Sequence, residues 1–381
     1  MFEEQLSNVV LEEAIRGSVA LERDGGITPI RLPLGAFDRM ADDLSRIVAR
    51  QAAGIRLEIM TAATRVQLDV RILRHVFAGT DPESHEAGFA ATSGTDVLSV
   101  VSTQEGTLVI ESAEATRTVE GAPVTLTFAL GASPTGQPRR VQLWLPHNAE
   151  IELLALRADA TWVPFEPAEP RWVHHGSSIS HCLEATGPLG VWPVIAARAL
   201  GLGITDIGLA GNSMLDPYVA RALRDIEADL ISFKVGINIV NGDAFTERTL
   251  VPALHGFIDT VREGHPHTPL VVISPVYCGI HEETSGPTIF DPGTGLCSAA
   301  GTGSLNLGEV RHIVERVVAT RARDDSALHL IDGRVLLGEE DAAHLWDNLH
   351  PDPAGYQLIG KRFAEELGPS GLALRVARRT A

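Results

Sequence analysis

The stretch RWVHHGSSISH, residues 171–181, begins as an apolar strand and continues as a polar segment that carries three serines. Gly176 stands between the two parts, where a residue without a side chain permits a tight turn. Four more apolar runs follow along the chain: ITDIGLAG (204–211), LISFKVG (230–236), PLVVISPV (269–276) and ALHLIDG (327–333). Each run alternates with a segment of helical periodicity, near residues 188–200, 217–227, 246–263, 308–322 and 353–367. This alternation predicts a parallel sheet with right-handed crossovers.

The location of the serines follows from that prediction. Ligands of open parallel sheets bind beyond the carboxyl ends of the strands. The serine-rich segment directly follows the first strand of the series, so it lies at the edge where chemistry is expected.

Residues 1–165 predict a different architecture, a β-sandwich of jelly-roll-like type. Short alternating runs separated by Gly, Pro, Ser, Thr and Asp recur here: RLEIMTAA (56–63), RVQLDVRI (65–72), DVLSVVS (96–102), GTLVIES (106–112), PVTLTFAL (123–130) and RRVQLWLP (139–146). One segment, residues 35–54, has the spacing of a helix. The proline-rich stretch FEPAEPR (165–171) predicts a linker, which divides the chain into domains at 1–165 and 166–381.

The charge balance restricts the partners of this protein. Lys and Arg number 31 against 49 Asp and Glu, which gives a formal net charge of −18. An acidic surface repels the phosphates of nucleic acids and of anionic membranes. We therefore expect neither nucleic acid nor a membrane surface as a partner.

The N-terminal sequence and the cysteines predict a cytoplasmic location. MFEEQLSNVVLEEAI (1–15) is acidic where a signal peptide is basic, and no run approaches the roughly 18 apolar residues of a membrane span. Three scattered cysteines are too few for a disulfide framework or a zinc knuckle. Cys182 is near the serines, and a buried thiol is the favoured interpretation for it.

A serine hydroxyl needs a base to become a nucleophile, and that base is most often a histidine held by a carboxylate. The sequence DNLHPDP offers both groups, because Asp347 precedes His350 by three residues. Asp352 and Pro353 then predict the N-cap and first position of the last helix. Asp347 and His350 would lie on the loop before that helix, although alone they could be an ordinary turn.

At this point four segments together resemble the conserved blocks of the SGNH, or GDSL-type, hydrolases. They are GSSIS (176–180), GLAGN (208–212), VGIN (235–238) and DNLH (347–350), in the family's order and at successive strand ends. The resemblance spans about residues 168–370. It implies a flavodoxin-like catalytic domain with helices on both faces of the sheet, and it implies the branch that carries an N-terminal sandwich.

The resemblance also implies roles for individual residues. Ser178 matches the nucleophile, His350 the base and Asp347 the residue that orients the base. The backbone N–H groups of Ser178 and Gly211 and the side-chain amide of Asn238 match the donors of the oxyanion hole. Most members carry Asp at the position of Ser177, so Ser177 remains an alternative nucleophile at this stage.

Three further residues are possible substrate contacts, namely Ser177, Asn212 and His281. His281 opens a long segment rich in Gly, Ser and Thr, residues 281–307, for which the sequence predicts no regular structure and favours a substrate-contacting flap. His174 and His175 are adjacent on a strand and point to opposite faces, which disfavours a shared metal ion.

These features predict a serine esterase that forms an acyl-enzyme and needs neither cofactor nor metal. The small-molecule substrate is expected to be a short-chain ester, above all an acetyl ester, of a polar or carbohydrate-like alcohol. Two alternatives remain open: an acyltransferase using the same acyl-enzyme, and a non-catalytic carbohydrate- or partner-binding protein that keeps the fold. The oligomeric state is not indicated by the sequence.

Overall fold

The computed structural model describes residues 8–77, 86–111 and 115–368. These residues form two compact units. The first contains the chain up to Leu34 together with Arg46–Ala168 and Thr186–Leu189, and the second contains Gly35–Ser45, Glu169–Ala185 and the chain from Gly190 onward. A domain boundary between residues 165 and 166 stays a prediction, because two short segments are exchanged between the units.

The N-terminal part is rich in strands. Its helices are α1 (Asn8–Glu12) and α2 (Asp43–Arg50), with a 3-10 helix at Leu34–Arg39. Its strands are β1 (Ile15–Arg16), β2 (Ala20–Arg23), β3 (Ile27–Ile30), β4 (Arg56–Thr61), β5 (Arg65–Phe77), β6 (Ala87–Ser93), β7 (Asp96–Thr103), β8 (Thr107–Glu111), β9 (Thr116–Val119), β10 (Val124–Ala129), β11 (Arg139–Trp144), β12 (Ala149–Ala158) and β13 (Trp162–Pro164). One sheet has the order β1-β4-β11-β6-β7 with β13 beside β4, and the other the order β2-β3-β12-β5-β8-β9 with β10 beside β5.

One apolar cluster holds these two sheets together. Leu57 and Ile59 on β4 contribute to it from one sheet, and Leu68 and Val70 on β5 contribute from the other. Strand β10 shows the underlying pattern, since its residues are alternately buried and exposed along the strand. That alternation places one face of β10 in the core between the sheets and the other in water. The sandwich predicted from the sequence is confirmed.

The prediction of one continuous helix over residues 35–54 is wrong. The chain forms the 3-10 helix and then α2, with a break between them. Asp42 explains the break, because its Oδ1 accepts the backbone N–H of Ser45 at 2.7 Å and caps the start of a new helix. The spacing of apolar residues predicts a helical face, but it does not indicate where a capping residue begins a new helix.

The second unit alternates strands with helices. Its strands are β14 (Arg171–Gly176), β15 (Gly203–Gly208), β16 (Leu230–Lys234), β17 (Leu270–Ile273), β18 (Thr288–Asp291), β19 (Leu296–Ala299) and β20 (Leu328–Ile331). Its helices are α3 (Ser178–His181), α4 (Trp192–Leu200), α5 (Pro217–Asp225), α6 (Ile237–Asn241), α7 (Glu247–Gly264), α8 (Leu307–Arg321) and α9 (Pro353–Leu367). Within the described ranges, no helix combines the length and the apolar character that a membrane crossing requires.

The main sheet has the order β15-β14-β16-β17-β20, and all its neighbouring strands are parallel. In order of appearance this is 2-1-3-4-5, the flavodoxin-like arrangement. Helices α4 and α9 pack together, while α5, α7 and α8 form a second packed group. The predicted α/β fold class is confirmed. The strand order reverses beside β14, so the ends of β14 and β16 flank the expected ligand crevice.

The segment 281–307 is not the structureless loop that its composition predicts. Strands β18 and β19 form an antiparallel hairpin with Phe290 opposite Cys297. The carboxylate of Asp291 accepts the N–H of Gly293 and the hydroxyl of Thr294, which closes the turn. Side-chain bonds of this kind make polar turns, and a short hairpin with little apolar alternation has no clear sequence signature.

An aromatic cluster fixes the first strand of the catalytic sheet against two helices. The ring of Trp172 on β14 stacks on Phe363 of α9 at 5.0 Å between centroids, and Trp192 of α4 lies 5.2 Å from Phe363. The indole N–H of Trp172 donates to Ser232 Oγ on β16 at 2.8 Å, and that of Trp192 donates to the Ile179 carbonyl of α3 at 2.8 Å. The polar tips of both indoles are thus satisfied while their rings fill the core.

We expect Phe363→Ala to lower the free energy of unfolding by about 3–5 kcal/mol, the usual cost of removing a buried phenyl ring. Phe363 is fully buried, whereas Phe290 is 57% exposed on the hairpin. Phe290→Ala is therefore the matched control, with a change within about 0.5 kcal/mol. Urea unfolding followed by circular dichroism measures both variants. A loss below about 1 kcal/mol for Phe363→Ala would contradict the packing role.

Candidate active site

Ser178 is the first residue of α3, directly after β14 and the turn at Gly176. Ser177 is the N-cap of this helix, and its Oγ accepts the backbone N–H of Ile179 at 3.3 Å. The N–H of Ser178 has no intrahelical acceptor, as is general for the first residues of a helix. Helix α3 also packs tightly on the end of β15, because a Cβ at Gly208 would lie 2.5 Å from the backbone nitrogen of His181.

The structure brings Ser178, His350 and Asp347 into one hydrogen-bonded chain. Ser178 Oγ lies 3.0 Å from His350 Nε2, and His350 Nδ1 lies 2.7 Å from Asp347 Oδ2. With a neutral ring, Nδ1–H donates to the carboxylate and Nε2 accepts the serine hydroxyl. This is the geometry that a serine needs to give up its proton to a histidine.

A tight turn holds Asp347 and His350 in place before α9. The N–H of Trp346 donates to the His350 carbonyl at 3.1 Å, and Asn348 adopts a positive φ of 74° that asparagine tolerates. Asp347 Oδ1 accepts the backbone N–H of Leu349 at 2.9 Å and that of His350 at 2.6 Å. The carboxylate therefore shapes the turn with one oxygen and holds the imidazole with the other. The helix start predicted after this turn is confirmed, since Asp352 caps α9 and Pro353 begins it.

The charges of this pair favour an ionised carboxylate and a basic imidazole. Burial alone would raise the pKa of Asp347, but hydrogen bonds from the His350 ring and from two backbone N–H groups outweigh it, so the pKa is lowered. Burial alone would lower the pKa of His350. The hydrogen bond to Asp347 and the charges of Glu184 and Asp347 outweigh burial, so the pKa of His350 is raised above 6.5.

The loops after β15 and β16 contribute the residues expected as hydrogen-bond donors. Gly211 has φ +75°, a left-handed conformation in which a side chain would be strained. Asn238 lies in the short helix α6, and its Oδ1 accepts the backbone N–H of Ser213 at 3.0 Å. This bond fixes the amide plane and leaves Nδ2 as the donor end. The two loops are thereby linked to each other.

Asn212 has a structural explanation that lies far away in the sequence. Its Oδ1 accepts the hydroxyl of Ser45 at 2.7 Å, and its Nδ2 donates to the Ala210 carbonyl at 2.8 Å. Both ends of the amide are therefore used within this unit. Ser45 anchors the loop of Gly211 although 167 residues separate it from Asn212.

Ser177 and His281 are also fully buried. Ser177 Oγ caps α3, and the imidazole of His281 is bonded to the Thr284 carbonyl at 3.2 Å and to Thr288 Oγ1 at 2.7 Å. The hydroxyl of Thr288 in turn donates to Asn241 Oδ1 at 2.8 Å. His281 thus braces the hairpin against α6, the helix that carries Asn238.

The other histidines of the opening stretch are engaged in the core. His174 contacts Ser232 Oγ and Ser180 Oγ at 2.8 and 2.9 Å, and His175 Nδ1 lies 2.8 Å from the Ile207 carbonyl. In the part of the chain that the structure describes, no group of three or more His, Cys, Asp or Glu side chains is arranged to hold a metal ion. Cys182 is a buried thiol as predicted, and burial holds its pKa well above the ordinary value.

Sequence reasoning missed two groups near the triad. Tyr356 donates to Glu184 Oε2 at 2.6 Å, and the Glu184 charge acts on His350. Lys234 is buried at the end of β16, with Nζ 3.4 Å from Ser177 Oγ. Burial lowers the pKa of Lys234 to about 8. A lysine inside the apolar run LISFKVG was a visible signal for the second group, whereas nothing near Glu184 in the sequence indicates the first.

Comparisons with known proteins give the family of this part of the chain and similar folds. The model of the GDSL-like lipase/acylhydrolase family matches residues 174–358. The salicylyl-acyltransferase SsfX3 from a tetracycline biosynthetic pathway is similar at 26% identity and a TM-score of 0.76, over 94% of both chains. A protein described as a GDSL-like lipase from Bacteroides ovatus is similar at 18% identity and a TM-score of 0.69, over 98% of both chains.

A family two carbohydrate esterase from Clostridium thermocellum is similar at 15% identity and a TM-score of 0.55, over 83% of this chain and 90% of that one. The search of curated proteins gave no match. At 18% and 15% identity, the Bacteroides ovatus protein and the Clostridium thermocellum esterase show a likeness of fold alone. The family match covers all the blocks that the sequence and the geometry single out, from His174 to the start of α9. Residues 174–358 form a GDSL-like lipase/acylhydrolase domain of the SGNH type, and this domain makes the protein a carboxylic-ester hydrolase.

Proposed function

We propose that Ser178 attacks the carbonyl carbon of an ester, with His350 as the general base. The observation that carries this proposal is the chain of contacts from Ser178 Oγ through the His350 ring to Asp347, at 3.0 and 2.7 Å. His350 takes the serine proton as the C–O bond forms and returns it to the leaving alcohol. Water then enters by the same route and releases the acid from the acyl-enzyme. Neither a cofactor nor a metal is needed for these steps.

Three donors are proposed for the negative oxygen of the tetrahedral intermediate: the N–H groups of Ser178 and Gly211 and the Nδ2 amide of Asn238. The position of Ser178 as the first residue of α3, the left-handed backbone of Gly211 and the fixed amide plane of Asn238 support this assignment. Donors that are held in place before the reaction stabilise developing charge without reorganisation.

For the substrate, we propose a short-chain acyl ester, above all an acetyl ester, of a polar or carbohydrate-like alcohol. The fold-level likeness to carbohydrate esterases, one of them solved with cellohexaose, supports this class. The hairpin is less polar than its composition indicates, since Ile289 and Phe290 are more than half exposed and Trp346 beside Asp347 is 51% exposed. Exposed rings of this kind stack well on the apolar face of a sugar.

Acyl transfer is the second candidate, and the likeness to the salicylyl-acyltransferase favours it. The acyl-enzyme would be the same, and an alcohol in place of water would accept the acyl group from Ser178. Product analysis with p-nitrophenyl acetate in the presence of added glucose or methanol separates hydrolysis from transfer, because transfer gives an acetyl ester of the added alcohol instead of acetate.

Ser178→Ala should abolish turnover of p-nitrophenyl acetate and labelling by a fluorophosphonate, because both need the activated hydroxyl. The fold should be retained, since the hydroxyl bonds only within the site. Ser177→Ala is the matched control, and it should keep the labelling. Labelling that disappears with Ser177 and persists without Ser178 would assign the nucleophile to Ser177. A wild-type protein that neither turns over nor labels would favour the non-catalytic alternative.

The acid limb of the pH profile of kcat/KM should have an apparent pKa above 6.5, because the net effect of Asp347, Glu184 and burial raises the pKa of His350. The base must be neutral to accept the serine proton, so activity rises as the pH passes this value. Asp347→Asn should reduce kcat by roughly 10⁴-fold through loss of the correct tautomer. An acid limb at or below 6.5 in the wild type would contradict the assignment.

Among p-nitrophenyl esters, kcat/KM should fall from acetyl or butyryl towards octanoyl. Each buried methylene is worth about 0.8 kcal/mol, so a longer acyl chain is favoured only by a site that encloses it. A benzoyl ester is the control for an aromatic acyl group. A maximum at octanoyl would contradict the short-chain proposal, and a preference for benzoyl would replace it with an aromatic acyl group.

A further inference from the structure

Lys234 is a buried cation that the mechanism above does not use. It is the last residue of β16, only 2% exposed, and its Nζ lies 3.4 Å from Ser177 Oγ. Within the described ranges, no carboxylate forms an ion pair with it. A buried ammonium that is not paired with a carboxylate costs stability. Packing alone therefore does not account for a lysine at this position.

The choice of lysine at this position is itself informative. Lys234 and Lys361 are the two lysines of a sequence with 31 Lys and Arg, and Lys361 is exposed on α9. Arginine stays charged at any accessible pH, whereas a buried lysine can lose its proton. Burial lowers the pKa of Lys234 to about 8, with a small opposing contribution from Cys182. The charge of this side chain is thus present at neutral pH and is lost only above it.

The contacts of Lys234 place it between the groups that the reaction needs. Its Nζ reaches Ser177, the N-cap of the helix that begins with Ser178, while its carbonyl accepts the hydroxyl of Ser213 at 2.8 Å. Ser213 also donates its N–H to Asn238. One residue therefore connects the turn of the nucleophile with the loop that orients the side-chain amide.

Several titratable groups surround this ammonium. The positive charge of Lys234 acts on His174 of β14 and on His350 of the loop before α9. Taken alone, this charge would lower the pKa of each histidine. Cys182 at the end of α3 interacts with the charge of Lys234 as well, and the charges of Asp206 on β15 and of Glu184 act in turn on Cys182. For His350 the charge of Lys234 works against Asp347 and Glu184.

We propose that Lys234 is a positioning residue for the ester hydrolysis: its ammonium holds the Ser177 turn that presents Ser178. The inference rests on the proposed function. Because Lys234 acts on the nucleophile turn and on the base, its loss should reduce kcat and leave KM nearly unchanged.

The test compares Lys234→Met, which removes the charge and keeps the length, with Lys361→Met as the matched control. In Lys234→Met, kcat for p-nitrophenyl acetate should fall about 10- to 100-fold, the range expected when a reacting group is misplaced slightly. KM should stay within about twofold, the acid limb should move to higher pH, and the thermal midpoint should not fall. Lys361→Met should match the wild type in every measurement.

Ser177→Ala separates the effect of the contact from the effect of the charge. It removes the hydroxyl that Nζ contacts and leaves the charge, so kcat should fall while the acid limb stays at the wild-type position. In the double variant the loss of kcat should be less than the product of the two single losses, because both act on one contact. A fully multiplicative loss would overturn the link through Ser177.

Lysine labelled with ¹³C at Cε gives a direct measurement in the wild-type protein, which does not depend on how the variants fold. Two side-chain signals are expected, and Lys361→Met assigns them. Lys234 should titrate near pH 8, well below the value of about 10.4 that is ordinary for a lysine. A Lys234 signal that titrates near 10.4, or a Lys234→Met enzyme with unchanged kcat and acid limb, would overturn the inference. Activity that persists in Ser178→Ala would instead overturn the proposed function itself.

Discussion

The close packing of α3 on the ends of the first two sheet strands is the constraint on which the site depends. Gly208 leaves no space for a side chain beneath this helix, and the Ile179 carbonyl is held by the indole N–H of Trp192. The position of Ser178 relative to the sheet is therefore set by the packing of α3 and does not depend on a bound substrate. The loops of Gly211 and Asn238 and the turn of His350 reach the same edge because strands of a parallel sheet all end there.

The electrostatics of the site rest on opposed charges around one imidazole. Asp347 and Glu184 stabilise the protonated ring, while burial and Lys234 destabilise it. A base that was too strongly held in its charged form would not accept the serine proton near neutral pH, and one without a carboxylate would lack the correct tautomer. The buried lysine limits the rise in the pKa that the two carboxylates produce. In this way a largely buried histidine can be well oriented and still remain a working base.

The sequence predicted the parts of this site that depend on local order. Strand and helix patterns located Ser178 and His350 at one edge, and the N-cap at Asp352 followed from its neighbouring proline. Contacts between distant segments were not accessible in the same way. The hydroxyl of Ser45 holds Asn212 across 167 residues, and polar side-chain contacts of this kind leave no periodic trace. A lysine within an apolar run is visible in the sequence. Only the fold shows that Nζ of Lys234 lies 3.4 Å from Ser177 Oγ.

The hairpin of β18 and β19, for which substrate contact is proposed, is bonded to the supports of two proposed catalytic groups. At one end, the N–H of Cys297 donates to the Asp347 carbonyl at 2.8 Å, and Asn348 Nδ2 donates to the Cys297 carbonyl at 3.2 Å. At the other end, Thr288 is bonded to Asn241 of the helix that carries Asn238. The hairpin thus touches both the turn of the triad carboxylate and the helix of the proposed amide donor. A change in the hairpin would act on both of these supports, so we expect the proposed substrate selectivity and the rate of hydrolysis to change together.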